Sequence, residues 1–245
     1  GSPVRIGYDS QRCGIFYTIR VPEREDEHEV ERNLDILRAM GWAIPNKEKY
    51  LELWFNDADE EAAKHFLKEN NINQDDLIIG MHPGCHPTTA YRRWPVEKFA
   101  GLADILVDLF QAKIILFGGV DEVDLAQEIA VKMKNLSYSA VGKISLRETA
   151  ALIRRCRLFI TNDSGLMHIA AAVKTPLISI WGPSNPAKSA PYGAKERCLI
   201  VSKNLPCQPC YQMYQPFTCT TLDCLKLITV QDIVSLVPQF LGRQQ

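Results

Sequence analysis

The sequence has almost no net charge: 28 lysines and arginines are set against 29 aspartates and glutamates in 245 residues. That removes any global electrostatic case for nucleic-acid binding, which needs a surplus of positive charge to meet phosphate. Long hydrophobic runs are missing too. Nothing approaches the roughly 18 consecutive apolar residues that span a bilayer, and the start carries no signal-peptide pattern, so no transmembrane segment is expected. No GxGxxG opens a strand–helix unit and no GxxxxGK[ST] occurs. The dinucleotide fingerprint and the P-loop are therefore unsupported. A GxSxG nucleophile elbow is missing as well.

What is present is ordinary for a globular protein with a sizeable core: 46% hydrophobic and 23% charged residues. Of eight cysteines, Cys13, Cys85, Cys156 and Cys198 are scattered and read as packed thiols of a reducing compartment. The order of elements is more informative than the composition. Val4 to Tyr8 reads as a short strand and Phe16 to Val21 as extended chain. Residues 23–41 form an acidic-start amphipathic helix stopped by Gly41. A turn-rich joint with Pro45 and Asn46 follows. Next come a short strand, Leu51 to Phe55, and a helix over 57–69 with Ala58, Ala62, Phe66 and Leu67 on one side. Up to about residue 75 these elements lack a sheet of their own.

From residue 77 apolar runs alternate with helical periods. Strands are expected at Leu77 to Met81, Lys113 to Phe117, Leu158 to Ile160 and Pro176 to Trp181, with shorter ones at Tyr138 to Val141 and Cys198 to Val201. Helices are expected after Pro95, from Asp121 to Met133, after Ser145 with Glu148 closing a capping box, after Gly165, and over 229–241. This alternation predicts a doubly wound α/β domain with a parallel sheet.

Polar chemistry gathers after three of these strands, at their C-terminal ends, where such sheets grip ligands. HPGCHPTTAYRRWP, residues 82–95, offers Gly84 and free backbone donors, the hydroxyls of Thr88 and Thr89, and the cations Arg92 and Arg93, just before a helix start that favours anions. FGGVDE, residues 117–122, has the glycine pair Gly118–Gly119 and an acid, Glu122, that can accept from ribose or a base. TNDSGLMH, residues 161–168, sets Ser164 and Gly165 at a helix start, with Asp163 before them and His168 behind. Each piece has a plainer reading: the glycine pair as a turn, Asp163 as a helix cap, His168 as a packed histidine. Together they describe a site for a phosphorylated or nucleotide-linked ligand.

The stretch NDSGLMHIAAAVKTPLISIWGPSNP resembles the bacterial ADP-heptose:lipopolysaccharide heptosyltransferases of glycosyltransferase family 9. HPGCHPTTAYRRWPVEKFAGLAD and FGGVDE resemble further elements of that family, and PVRIGYDSQRCGIFYT with HEVERNLDILRAMG resembles the end of its acceptor domain and the following segment. The resemblance implies a GT-B fold and an inverting, metal-independent transfer of a sugar, heptose, from an ADP-linked donor to a lipopolysaccharide core acceptor. It implies that residues 1–75 are the end of the N-terminal acceptor domain and connecting segment, and that 76–245 form the nucleotide-sugar donor domain. It assigns donor contacts to Arg92, Glu122, Asp163, Ser164, Gly165 and His168, with Arg92 standing where the family usually has lysine, and the corners themselves add Thr88, Thr89 and Gly118 as donor-binding candidates. The family's proposed catalytic aspartate lies earlier than this chain begins, and Asp9 is not its equivalent, so no catalytic base is nominated. The chain is expected to bind donor better than it turns it over. The implied setting is the cytoplasm, at the inner face of the inner membrane with peripheral contact. Two other readings stand beside it: a noncatalytic nucleotide-sugar-binding module and a GT-B-like sugar-nucleotide epimerase.

Cys207, Cys210, Cys219 and Cys224 form C-x2-C-x8-C-x4-C, with the loop YQMYQPFT between the pairs. That spacing fits a structural zinc or iron–sulfur cluster in outline. Two disulfides or four unligated thiols fit it as well.

Overall fold

A computed structural model describes residues 1–9, 14–24, 26–45, 49–211 and 217–242. The readings made for Cys13, for Asn46 and for the middle of YQMYQPFT lie outside the described residues. Near the start, β1 (Ile6–Tyr8) and β2 (Ile19–Val21) pair in parallel, with Ile6 opposite Ile19. Then come α1 (Glu29–Ala39) and α2 (Asp57–Glu69). The rest of the chain alternates: β3 (Ile78–His82), α3 (Val96–Phe110), β4 (Lys113–Leu116), α4 (Val123–Lys132), β5 (Ser137–Ser139), α5 (Leu146–Arg154), β6 (Leu158–Asn162), α6 (Gly165–Ala172), β7 (Leu177–Ile180), α7 (Pro186–Ser189) and β8 (Cys198–Val201). Three short helices close it: α8 (Asp223–Lys226), α9 (Val230–Val234) and α10 (Pro238–Leu241).

The last six strands form one parallel sheet in the order β5-β4-β3-β6-β7-β8. Successive side chains in a strand face opposite sides, so each buried strand feeds two cores. Ile79, Met81, Ile114, Leu116, Leu158, Ile160, Ile178 and Ile180 pack with α3, α4 and the closing helices. Ile78, Ile115, Phe117, Phe159, Leu177 and Trp181 pack with α2, α5 and α6. Gly80 in central β3 is bare because Phe117 and Phe159 meet there edge-on at 5.4 Å, and a Cβ would lie 2.6 Å from Phe159. The chain runs outward from β3 through β4 and β5, then returns across the sheet to β6. The reversal leaves a crevice beyond the ends of β3 and β6, the usual ligand position in such sheets.

Several expectations shift in detail. Leu51 to Phe55 forms no strand. Its alternating residues Leu53 and Phe55 pack on the second core, but β8 already extends the sheet beyond β7. On α2 the buried face is Asp59, Ala63 and Phe66 rather than Ala58, Ala62, Phe66 and Leu67. Asp59 turns inward because it closes a capping box with Asn56. The closing helix over 229–241 is two helices, since Pro238 lacks the N–H needed to continue one.

Helix α1 is held to the loop after α7. His28, its N-cap, accepts from Val30 N–H through Nδ1, so Nε2–H donates to the Ala190 carbonyl at 2.9 Å. Glu31 takes Lys49 at 2.6 Å, the Tyr192 hydroxyl, and Arg38 at 3.0 Å. Lys49 first, then Tyr192, holds the Glu31 carboxyl down at about 2. Burial and Glu31 push Tyr192 up to about 12. A carboxyl depressed in the folded state contributes stability that is complete above its ordinary value and is lost as pH falls toward the folded one. Thermal unfolding of the wild type should therefore become less favourable to the native state between about 4.5 and about 2. Glu31→Gln should flatten that part of the profile, and parallel curves for the two proteins would remove Glu31 from the account.

Candidate functional site

Strand register brings the site together. His82, the last residue of β3, lies opposite Thr161 in β6. The chain then leaves β6 through Asn162 and Asp163 into α6, and leaves β3 into the corner of 83–95. Asn162 locks these two exits to each other. Its Oδ1 accepts from Trp94 N–H at 3.1 Å and its Nδ2 donates to the Pro83 carbonyl at 2.6 Å. A buried amide satisfied on both ends fixes the position of the corner.

Two polar clusters result. In one, Arg92 Nη1 donates to Asp163 Oδ2 at 3.0 Å, and its guanidinium stacks over Tyr211 at 4.4 Å. Neighbouring Arg93 donates to the Cys85 carbonyl. The Nε atoms of both arginines are buried without a protein partner, an arrangement suited to an anion that brings its own acceptors. In the other, Glu122 Oε2 accepts from His82 Nε2 at 3.0 Å and from Gly119 N–H at 2.9 Å. Burial alone would push the Glu122 carboxyl up, but the His82 bond and charge and the Gly119 N–H outweigh it and hold it below the ordinary range. Gly84 lies so close that a Cβ there would fall onto the Glu122 carboxylate. On its other ring nitrogen, His82 Nδ1 meets Ser164 Oγ at 2.9 Å.

The structure gathers Arg92, Asp163, Ser164, Glu122 and Gly118 at this crevice; Gly118 abuts the Glu122 carboxylate. Ser164 is the N-cap of α6 but its hydroxyl makes no cap bond there. Gly165 opens the helix and is exposed. His168 sits one turn in, where burial lowers its proton affinity against the pull of Asp163. Asp163 pairs with Arg92 rather than capping α6. Thr88 and Thr89 lie further out on the corner, both hydroxyls tied to His86. The residue that sequence reasoning passed over is His82. A lone histidine at a strand end carries no pattern, and only the pairing with β6 shows its partners.

The late cysteines correct the expectation of a structural zinc or iron–sulfur cluster. Cys207, Cys210, Cys219 and Cys224 are free thiols. Among the described residues no group of three or more histidine, cysteine, aspartate or glutamate side chains could hold a metal ion. Cys224 is buried in α8 beside the core residue Leu225, whereas the other three are exposed. Cys219 Sγ faces the Thr221 hydroxyl at 3.8 Å. The spacing in sequence does not make a metal-holding group of these four thiols among the described residues.

A parallel sheet wound on both faces, with its polar corners at the crevice between β3 and β6, is the α/β architecture of the GT-B glycosyltransferases. The fold matches a family 9 glycosyl transferase from Veillonella parvula with TM-score 0.81 at 25% identity, covering 99% of this chain and 68% of that one. It also matches the Escherichia coli ADP-heptose lipopolysaccharide heptosyltransferase II with TM-score 0.75 at 22% identity, covering 98% and 70%, a likeness of fold. Lipooligosaccharide heptosyltransferase 2 of Haemophilus influenzae is 37% identical over 139 residues, 55% of this chain and 40% of that protein. Residues 1–221 match glycosyltransferase family 9 (heptosyltransferase), and the chain belongs to that family. It spans less than two thirds of the length of the first curated relatives it matches. Among the described residues, no helix is long and apolar enough to cross a membrane.

Proposed function

We propose that the crevice beyond β3, β4 and β6 holds the diphosphate and ribose of an ADP-linked sugar, and that the chain serves the donor side of an inverting heptosyl transfer to a lipopolysaccharide core acceptor. The observation that carries this reading is the convergence of the Arg92–Asp163 pair, just before the start of α6, with the Glu122–His82–Ser164 chain at the ends of β3 and β6. Arginines beside a helix start suit an anionic ligand. A diphosphate would meet Arg92 and Arg93, with Ser164, Gly165, Thr88 and Thr89 as further phosphate contacts and His168 behind them. Glu122, with Gly118 leaving it room, is suited to ribose hydroxyls. The E. coli protein of similar fold is a heptosyltransferase of ADP-heptose, which favours adenine diphosphate over other nucleotides here.

In this reading residues 76–245 are the donor domain and 1–75 the end of the acceptor domain and its connecting segment. The setting is the cytoplasm at the inner face of the inner membrane. Calorimetry should find ADP and ADP-sugars bound more tightly than UDP-sugars, and ADP more tightly than AMP. Binding of none of them overturns the donor site. Binding without heptose transfer is the outcome expected of the donor side alone, whereas transfer by this chain would overturn the expectation that it binds donor better than it turns it over.

A further inference from the structure

Tyr211 lies in the segment that follows β8, far along the chain from the corner it touches, and it is not among the donor contacts proposed above. Backbone and amide bonds fix its place. Gln208 accepts from Leu205 N–H at 2.8 Å and donates to the Gly182 carbonyl. The Cys210 and Tyr211 N–H groups both donate to the Pro183 carbonyl at 3.0 Å. Residues 205–211 are thereby clamped to the exit of β7. That exit adjoins the exit of β6, since Asn162 lies opposite Ile180 and Asp163 N–H donates to the Ile180 carbonyl at 3.2 Å. From there the Tyr211 ring reaches the 83–95 corner. Its centroid is 4.4 Å from Arg92 Cζ and 5.9 Å from the ring of Tyr91, which in turn stacks on Phe217 at 4.0 Å.

Three strand exits therefore meet at one guanidinium. The corner after β3 carries Arg92, the exit of β6 supplies Asp163, and the exit of β7 supplies Tyr211. The two contacts differ in kind. Asp163 takes Nη1 through a single oxygen at 3.0 Å, and a guanidinium held at one nitrogen can still swing about that bond. A ring on its face stops the swing and consumes none of its N–H groups, because those lie in the guanidinium plane. The Arg92 side chain is only 18% exposed, so water does little to weaken the attraction between cation and ring face. We infer that Tyr211 is a positioning residue for the diphosphate: it holds Arg92 by the face and leaves to the ligand the N–H edge that Asp163 does not use. The inference rests on the donor-site reading above. Without the ring, the side chain would have to be ordered at the moment of binding, a cost that preorganisation removes.

The test is ADP affinity around a double-mutant cycle of Tyr211→Leu and Arg92→Ala, with Tyr211→Phe and ring-fluorinated phenylalanines at position 211 alongside. Tyr211→Leu should weaken ADP binding roughly tenfold, the size of a partly desolvated cation–π contact. Tyr211→Phe keeps the ring face and should bind like the wild type. Fluorine withdraws negative charge from that face at nearly constant shape, so affinity should fall stepwise with each fluorine added, a trend that packing alone would not give. In the Arg92→Ala background Tyr211→Leu should cost nothing more. An equal loss in both backgrounds, a loss in Tyr211→Phe as large as in Tyr211→Leu, or an affinity indifferent to fluorine overturns the role of Tyr211 and leaves the donor site standing. The fluorinated series decides the matter even where Tyr211→Leu fails to fold. No ADP binding by the wild type overturns both.

Discussion

Arg92→Ala is expected to weaken ADP binding roughly 100-fold, or about 2.8 kcal/mol, the upper part of the range for hydrogen bonds to charged groups. Two losses combine. The guanidinium, stacked on Tyr211 and held by Asp163, disappears as a donor to phosphate. The Asp163 carboxylate, 5% exposed, is then left without its cation. Removing one partner of a buried pair exposes the other to the full desolvation penalty. Arg92→Ala should therefore also lower stability, and Arg92→Ala/Asp163→Ala should recover part of it without recovering affinity. Arg92→Lys keeps charge but not the planar fork, so an intermediate loss of about tenfold is expected. Calorimetry on the four proteins, with unfolding curves alongside, measures both quantities. Unchanged ADP affinity in Arg92→Ala would take the arginine out of the site.

The sheet was largely legible because its signals are local. Buried parallel strands read as short apolar runs, and Ser145 with Glu148 marks the start of α5 in four residues of sequence. The polar corners were legible for the same reason: strand, then glycine or hydroxyl, then helix. What escaped depends on partners distant in the chain. Asp59 is buried on α2 where Arg147 of α5, 88 residues on, lies 3.5 Å away. Leu51 to Phe55 has a strand's alternation but no strand to pair with. His82 gains its meaning from Ser164 and Glu122, residues 82 and 40 positions away. The cysteine pattern failed in the opposite sense: a one-dimensional spacing suggested a metal site, and the described residues form no metal-holding group there.

The same long-range logic makes Trp94 the residue whose loss should damage the fold most. It is 1% exposed, meets Phe99 edge-on at 5.1 Å, and donates its indole N–H to the Ile228 carbonyl at 3.1 Å. Its backbone N–H is the donor to Asn162 that ties the 83–95 corner to β6. Lys98 adds a cation over the ring at 5.9 Å and reaches the Lys226 and Ile228 carbonyls at the end of α8. One side chain thus fastens the 83–95 corner to the closing helices. Trp94→Ala should destabilise by about 3–5 kcal/mol, the range for emptying a buried aromatic site. Trp94→Phe retains most of the volume and loses the indole donor, so about 1–2 kcal/mol is expected. Urea unfolding at constant slope separates the two. Because the corner carries Arg92 and Arg93, ADP affinity should fall in the same order, alanine more than phenylalanine. Equal destabilisation by both substitutions would assign the effect to the hydrogen bond alone. A neutral Trp94→Ala would mean that Asn162, not Trp94, is what anchors the corner.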